Sequence, residues 1–145
     1  MLVTGAFSTW HLAFGQQRRC RVKDFRSLKV WEKAHHLTLD VYKTTSRFPR
    51  EELYGLTSQM RRCCASIGAN IAEGCGKRGN NEFQRFLLIA SGFASKLDYH
   101  FLLARDLLFL HVEDYARLEK ELSILRRMLT SLLQRVDNER CLAKC

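Results

Sequence analysis

The chain has 145 residues and a formal net charge of +9, and 46% of its residues are hydrophobic. A chain of this length forms one domain around one core, which excludes a multidomain organisation. It has one proline and eight glycines, and alternating polar and apolar residues are scarce, which predicts an all-α protein. The basic charge favours a polyanionic partner, because clustered Lys and Arg side chains attract phosphate and release counterions.

Residues 1–22 differ in pattern from the rest of the chain. Their basic cluster follows the apolar stretch instead of preceding it, which is not the order of a secretory signal peptide. No run of about 20 apolar residues indicates a membrane span. We expect a cytoplasmic, reduced protein without membrane contact, whose physiological start lies near Val22. If residues 1–22 are present, we expect them to be disordered or loosely packed.

The first two helices are predicted from apolar spacing and from their end signals. The first is expected to run from Ser27, as its N-cap, to Arg47, with Pro49 ending it. The second is expected to begin at the acidic turn of residues 51–52, because carboxylates are favourable at a helix N-terminus. It should end among the glycines of residues 74–79, which are typical of a turn.

The second helix combines an apolar stripe with small residues and a basic edge. Ile67 and Ile71 belong to the apolar stripe, whereas Arg61 and Arg62 fall outside it. Gly68 would cost about 1 kcal/mol against alanine in an isolated helix. It therefore predicts either close approach of a neighbouring helix or a tolerated weak point.

The third and fourth helices complete the predicted fold. The third is expected from residue 79 or 80 toward Leu108, with an aromatic-rich inner face. The fourth, residues 112–136, carries a heptad stripe in steps of three and four: Tyr115, Leu118, Leu122, Leu125, Leu129, Leu132 and Val136. The stripe is either core within the chain or a surface shared between subunits. Short connections predict an antiparallel, up-down-up-down four-helix bundle over residues 23–137, with residues 138–145 as a flexible tail.

Three segments carry a resemblance to a known family. They are FRSLKVWEKA (25–34), FPREELYGLTSQMRRCCASIGANIAEG (48–74) and EFQRFLLIASG (82–92). In order and spacing they resemble the four-helix bundle proteins of the 23S rRNA intervening-sequence family, over about residues 23–136. Two departures are Gly79, where a Ser or Thr cap is usual, and Phe93 and Lys96 within ASGFASKLD.

The resemblance implies a fold and an assembly. The family is similar in fold to the accessory proteins of diversity-generating retroelements. The resemblance to these proteins implies a ring-like homopentamer with a basic exterior or funnel. A homopentamer is therefore expected here.

No catalytic or metal-binding motif is recognisable. The sequence lacks the P-loop, nucleophile-elbow, H-E-x-x-H and dinucleotide-binding patterns. His35 and His36 would point about 100° apart on a helix, and Cys141 and Cys145 lack further ligands, so we predict neither metal nor cofactor. The six cysteines are predicted to be reduced and to pack as small buried residues.

One enzymatic alternative stays open. Arg105 and His111 resemble the R-x4-6-H pattern of HEPN-type ribonucleases, which are also all-helical. In such a pair, the arginine could polarise a phosphate while the histidine moves a proton near neutral pH.

Seven basic positions form the predicted nucleic-acid-binding set: Arg26, Lys29, Arg61, Arg62, Lys77, Arg78 and Arg85. The predicted function is a non-enzymatic oligomeric bundle that binds RNA or DNA without sequence preference through this basic face. In one alternative, Arg62, Asn70 and Glu73 form a polar network between helices or subunits. In another, the bundle is a structural adaptor for a protein partner.

Overall fold

Four helices build the protein, in a computed structural model that describes residues 24–144. They are α1 (Lys29–Thr45), α2 (Leu56–Gly76), α3 (Asn80–Asp106) and α4 (Val112–Lys144), with 3-10 turns at Phe25–Ser27 and Arg50–Glu52. Residues 24–144 contain no strand, which confirms the all-α prediction. The extension of residues 1–22, its proposed start near Val22, Cys20 and Cys145 lie outside the described residues.

The helices pack in a ring, each against its two neighbours. α1 packs beside α2 and α4, and α3 packs beside α2 and α4, whereas the backbones of diagonally opposite helices stay apart among the described residues. Short connections reverse the chain between successive helices, so the predicted antiparallel, up-down-up-down four-helix bundle is confirmed. Five members of the α4 heptad stripe are buried in this single chain: Leu118, Leu122, Leu125, Leu129 and Val136. The stripe is therefore core within the chain.

The helix ends differ from the sequence prediction where local caps decide them. Ser27 is not the N-cap of α1: it belongs to a 3-10 turn, which Asp24 caps by accepting a hydrogen bond from the Arg26 amide at 3.1 Å. α2 begins at Leu56, not at residues 51–52, and the Glu52 carboxylate accepts a hydrogen bond from the Leu56 amide at 2.9 Å. The acidic turn therefore caps α2 from outside the helix.

α4 is longer than predicted. It continues past Val136 to Lys144, so residues 138–144 are helical in the structure. No proline or glycine occurs after residue 112 to stop the helix. The flexibility of this tail stays a prediction.

α2 and α3 approach each other most closely at Gly74. A Cβ atom at this position would lie 2.9 Å from Phe86 Cβ and 3.1 Å from Phe83 Cδ2. Gly68, where close approach was one of two expectations, has room: its nearest neighbour would be Trp31 Nε1, at 3.8 Å. Gly68 is thus the tolerated weak point, and Gly74 is the glycine that the packing requires.

α3 ends in a Schellman motif without glycine. The Phe109 amide donates to the Ala104 carbonyl at 3.0 Å, and the Leu108 amide donates to the Arg105 carbonyl at 2.9 Å. Leu108 takes a φ of 64°, in the left-handed region where glycine is usual. The turn places Leu110 in the core and Phe109 6.0 Å from Phe48 between ring centroids.

The cysteine prediction is confirmed at three positions and wrong at one. Cys63, Cys64 and Cys75 are free and buried, and burial raises the pKa of the Cys64 thiol to about 11. They pack as small apolar residues. Cys141, near the end of α4, is also free but exposed.

By length and composition, α3 could cross a membrane, although the core helix of a bundle has the same properties. Its packing against α2 and α4 accounts for its apolar inner face, including Leu87, Leu97 and Phe101.

Candidate nucleic-acid interface

Arg61, one of the two arginines on the predicted basic edge of α2, is engaged within the bundle. Its Nε donates to Thr45 Oγ1 at 2.9 Å, and its Nη2 donates to the Tyr42 carbonyl at 3.5 Å. The guanidinium also lies 4.8 Å from the centroid of the Tyr42 ring. Arg61 therefore fastens the last turn of α1 to α2.

Arg62, the next residue, has the opposite surroundings. Its side chain is exposed and makes no hydrogen bond or ion pair within residues 24–143. Lys96, on the adjacent helix α3, is likewise exposed and unpaired. Burial raises the pKa of the Cys63 thiol, and the charges of Lys96 and Arg62 oppose that shift. Arg62 and Lys96 are thus two unpaired cations on neighbouring helices, called here the α2–α3 basic pair.

Three predicted positions lie around the turn between α2 and α3. Lys77 Nζ is 3.5 Å from Glu73, and Arg85 Nη2 is 3.0 Å from Glu82. Both cations also lie over the Phe86 ring, at 5.6 Å and 4.6 Å from its centroid. The hydrogen bond from Arg85 lowers the pKa of Glu82. Arg78 differs from both, because it is exposed and unpaired among the described residues.

The two predicted positions at the start of α1 have local partners. Arg26 lies 4.4 Å from the Phe25 ring centroid and 3.5 Å from Asp24. Lys29 Nζ lies 3.1 Å from Glu32, one helical turn further along α1. Both ion pairs are exposed, and pairs of this kind contribute little and exchange readily with another anion.

Six further basic residues are exposed and unpaired in the described part of the chain, and the predicted set omitted them: Lys43, Arg50, Lys96, Lys120, Arg127 and Arg135. Over the whole fourth helix, acidic and basic residues are nearly balanced in number. A finer signal was present, since Leu122 to Val136 includes three arginines and no acidic residue. Charge summed over a whole helix conceals such a local excess.

The alternative polar network does not form within the chain. Asn70 Nδ2 donates to the Ser66 carbonyl at 2.7 Å, in its own helix, and Glu73 pairs with Lys77. Arg62 joins neither of them. Such a network between subunits stays a prediction.

Arg105 and His111, the candidate ribonuclease pair, line one open cleft of about 560 Å³ at the α3–α4 turn. The guanidinium of Arg105 is engaged by Asp106 Oδ1, at 2.9 and 3.0 Å, and lies 4.6 Å from the centroid of the Tyr115 ring. His111 is exposed. A phosphate in this cleft would have to displace the Asp106 carboxylate.

No metal centre can be assembled from the described residues, among which no three His, Cys, Asp or Glu side chains are grouped closely enough. His35 stacks on Trp31, with a centroid distance of 5.1 Å and an interplanar angle of 8°.

Comparison with known proteins identifies a family and solved structures of similar fold. The family model described as 23S rRNA-intervening sequence protein matches residues 26–131. A crystal structure from Bacteroides thetaiotaomicron, described as a protein of unknown function from the S23 ribosomal protein family, has a TM-score of 0.65 and 23% identity. The match covers 72% of this chain and 95% of that one, and at this identity it supports the fold alone. No curated protein matches the chain by sequence.

Proposed function

Since the chain belongs to the 23S rRNA-intervening sequence protein family, we propose that it is a non-enzymatic, self-associating bundle that binds the phosphate backbone of RNA or DNA. The binding has little sequence preference, because none of the four described helices resembles a base-reading element. Relatives of the bundle suggest a homopentamer. In the alternative, the same oligomeric bundle is an adaptor that binds another protein, and this function needs no unpaired cations on the surface.

The α2–α3 basic pair is the observation that carries the proposal. Arg62 and Lys96 are exposed on neighbouring helices and no carboxylate neutralises them within the described residues. A nucleic acid that approaches this side of the bundle can contact both cations without breaking an existing ion pair. Each such contact releases counterions from the nucleic acid, which makes the affinity depend on salt.

The neighbouring arginines of α2 provide a matched test. Arg62→Gln should weaken binding of a structured RNA, and flatten the slope of log K against log salt by about one unit, without changing the melting temperature. Arg61→Gln should instead lower the stability by about 1 kcal/mol, because Thr45 and Tyr42 lose a charged donor, and should spare binding.

Two outcomes would overturn this assignment. If Arg62→Gln dissociates the oligomer and leaves binding intact, Arg62 is an interface residue. If the wild-type chain binds no RNA or DNA at low salt, the protein-adaptor alternative becomes the better one. Repeating the measurement on a chain that starts at Val22 separates the contribution of Arg18, Arg19 and Arg21.

The outer face of α3 supports self-association. Leu88, Gly92, Ser95, Tyr99 and Leu102 are all exposed and follow one another in steps of four and three. This is the spacing of a helix–helix contact stripe, with large residues at both ends and small residues between them. Leu88 and Tyr99 are 55% and 59% exposed, so the stripe is not used within a single chain.

Assembly is tested by light scattering coupled to size exclusion. The wild-type protein should elute with a mass close to five times that of the 16.9 kDa chain. Tyr99→Glu should dissociate it, because a carboxylate would be buried in the contact. Tyr54→Glu, at an exposed position on one end of the bundle, is the matched control and should not. A monomeric wild-type protein at micromolar concentration would contradict the proposal.

A metal-independent ribonuclease is the second candidate, because Arg105 and His111 share one cleft. Its test is incubation of labelled RNA with the protein in the presence of a chelator. Cleavage that His111→Ala abolishes, with the fold retained, would make the protein an enzyme. Intact RNA at high protein concentration would exclude this candidate.

A further inference from the structure

A second basic surface lies on the opposite side of the bundle. A cleft of about 550 Å³ separates the start of α1 from the second half of α4. Ser27 and Lys29 line one wall, and Arg127, Ser131 and Arg135 line the other. The Ser27 hydroxyl donates to the Asp24 carbonyl at 2.6 Å, so Ser131 supplies the available hydroxyl donor. Every polar side chain that lines this cleft is therefore a cation or a hydroxyl, which are the groups that bind phosphate oxygens.

The two arginines of the cleft are not neutralised. Arg127 and Arg135 are exposed and form no ion pair within the described residues. Their neighbour Arg126 points elsewhere and donates to Asp98 Oδ2 on α3 at 2.7 Å. Lys29 is paired only with Glu32, in an exposed contact between residues three apart. Exchange of that contact for a phosphate costs little, because solvent screens exposed ion pairs of this kind.

The spacing of the cations suits a polymer of phosphates. Arg127, Ser131 and Arg135 follow one another at intervals of four and share one face of α4. The Cα atoms of the two arginines are about 12 Å apart along the helix axis, since each residue rises 1.5 Å. Between the cations, Met128 and Leu132 supply apolar surface to the cleft. A single small anion engages one end of this row, whereas a nucleic-acid strand contacts both ends.

We infer that the α1–α4 cleft is a phosphodiester-binding site for an RNA or DNA strand, with Lys29, Arg127 and Arg135 contacting phosphates and Ser131 donating to their oxygens. This inference rests on the proposed function, but it assigns a surface distinct from the α2–α3 basic pair. With this second surface, the nucleic acid contacts two opposite sides of one bundle.

The test uses the full chain and a fluorescent RNA hairpin, in a salt series. The double variant Arg127→Gln and Arg135→Gln should bind at least about tenfold more weakly at low salt, because two charged contacts are lost. Its salt slope should flatten by about two units. The matched control is Arg126→Gln with Arg47→Gln, which removes the same charge from arginines already paired with Asp98 and Asp114. The control should keep the wild-type slope, and circular dichroism should show equal helicity in both variants.

Each contrary outcome has a separate meaning. If the wild-type chain binds the hairpin and the cleft variant binds it equally well, the inference is overturned while the proposed function stands. If control and cleft variants weaken equally, only net charge matters and the cleft is not a site. If the wild-type chain does not bind, the proposed function fails. Inorganic phosphate should compete no better than chloride at equal ionic strength; saturable competition by phosphate would show that the cleft binds a small anion and overturn the assignment to a strand.

Discussion

The α2–α3 side and the α1–α4 side of the bundle are held together in different ways. α2 and α3 make the most extensive contact of the four helix pairs, and among the described residues no ion pair joins them. α1 and α4 make the least extensive contact, and ion pairs bridge them from Lys33 to Glu121 and from Arg117 to Asp40. Small residues bring backbones together and exclude long charged side chains. Where helices stand apart, charged residues either pair or remain free for a ligand.

The stability of the α2–α3 side, where the helices pack most closely, should be the more sensitive to added side-chain volume. Gly74→Ala is expected to lower the free energy of unfolding by about 1–3 kcal/mol, because the new methyl group meets Phe86 Cβ at 2.9 Å. Gly68→Ala is the control, and it should raise stability by up to about 1 kcal/mol, since the nearest atom is at 3.8 Å. Denaturant unfolding measures both. Equal effects at the two glycines would contradict the contrast between required and tolerated positions.

A buried histidine of α3, His100, offers the next test. Both ring nitrogens of His100 are buried without a hydrogen-bond partner among the described residues. His100→Leu should therefore stabilise the fold by about 1 kcal/mol, because it removes unsatisfied polar atoms from the interior. His36→Leu, at an exposed position, should have little effect. A loss of stability in His100→Leu would reveal a partner for the ring, such as an ordered water.

The same histidine predicts a pH dependence. Burial, followed by the charge of Lys96, lowers the pKa of His100 below its ordinary value of 6.5. The unfolded chain then binds the proton more readily than the folded chain, so stability falls as the pH drops below about 6.5. Thermal unfolding of wild type and His100→Leu between pH 5 and 8 should show a smaller decline in the variant. Parallel curves would contradict the prediction.

The ion pairs on the α1–α4 side should make stability depend on salt and acid, and these effects should be the smallest of those predicted here. Arg117 bonds both Asp40 and Asp114, and its hydrogen bond is the main cause that lowers the pKa of Asp114 below 3.8. Because that pKa is lowered, the contribution is present above pH 3.8 and is lost as the pH falls through the folded value. Arg117→Met should lower stability by at most about 1 kcal/mol at low salt, and less at high salt. The midpoint of acid unfolding should move to higher pH.

The fold followed closely from the sequence. Apolar residues at helical spacing predicted α3 almost to the residue, and the heptad stripe of α4 is the stripe that is buried. These properties are local, because a helix repeats every 3.6 residues whatever it packs against. The ends of α1 and α2 were less predictable, since side chains outside the helix, such as Glu52, decide them.

The candidate interface depended on the tertiary structure. Arg61 and Arg62 are adjacent arginines that the sequence does not distinguish. Arg61 bonds Tyr42 and Thr45 and so fastens α1 to α2, whereas Arg62 has no such partner. The sequence by itself determined the helices, the core stripe and the basic balance of the chain. Distances between helices decided which cations remain unpaired. They also decided that Arg127 and Arg135 face the start of α1 across a cleft. No local sequence pattern encodes these distances.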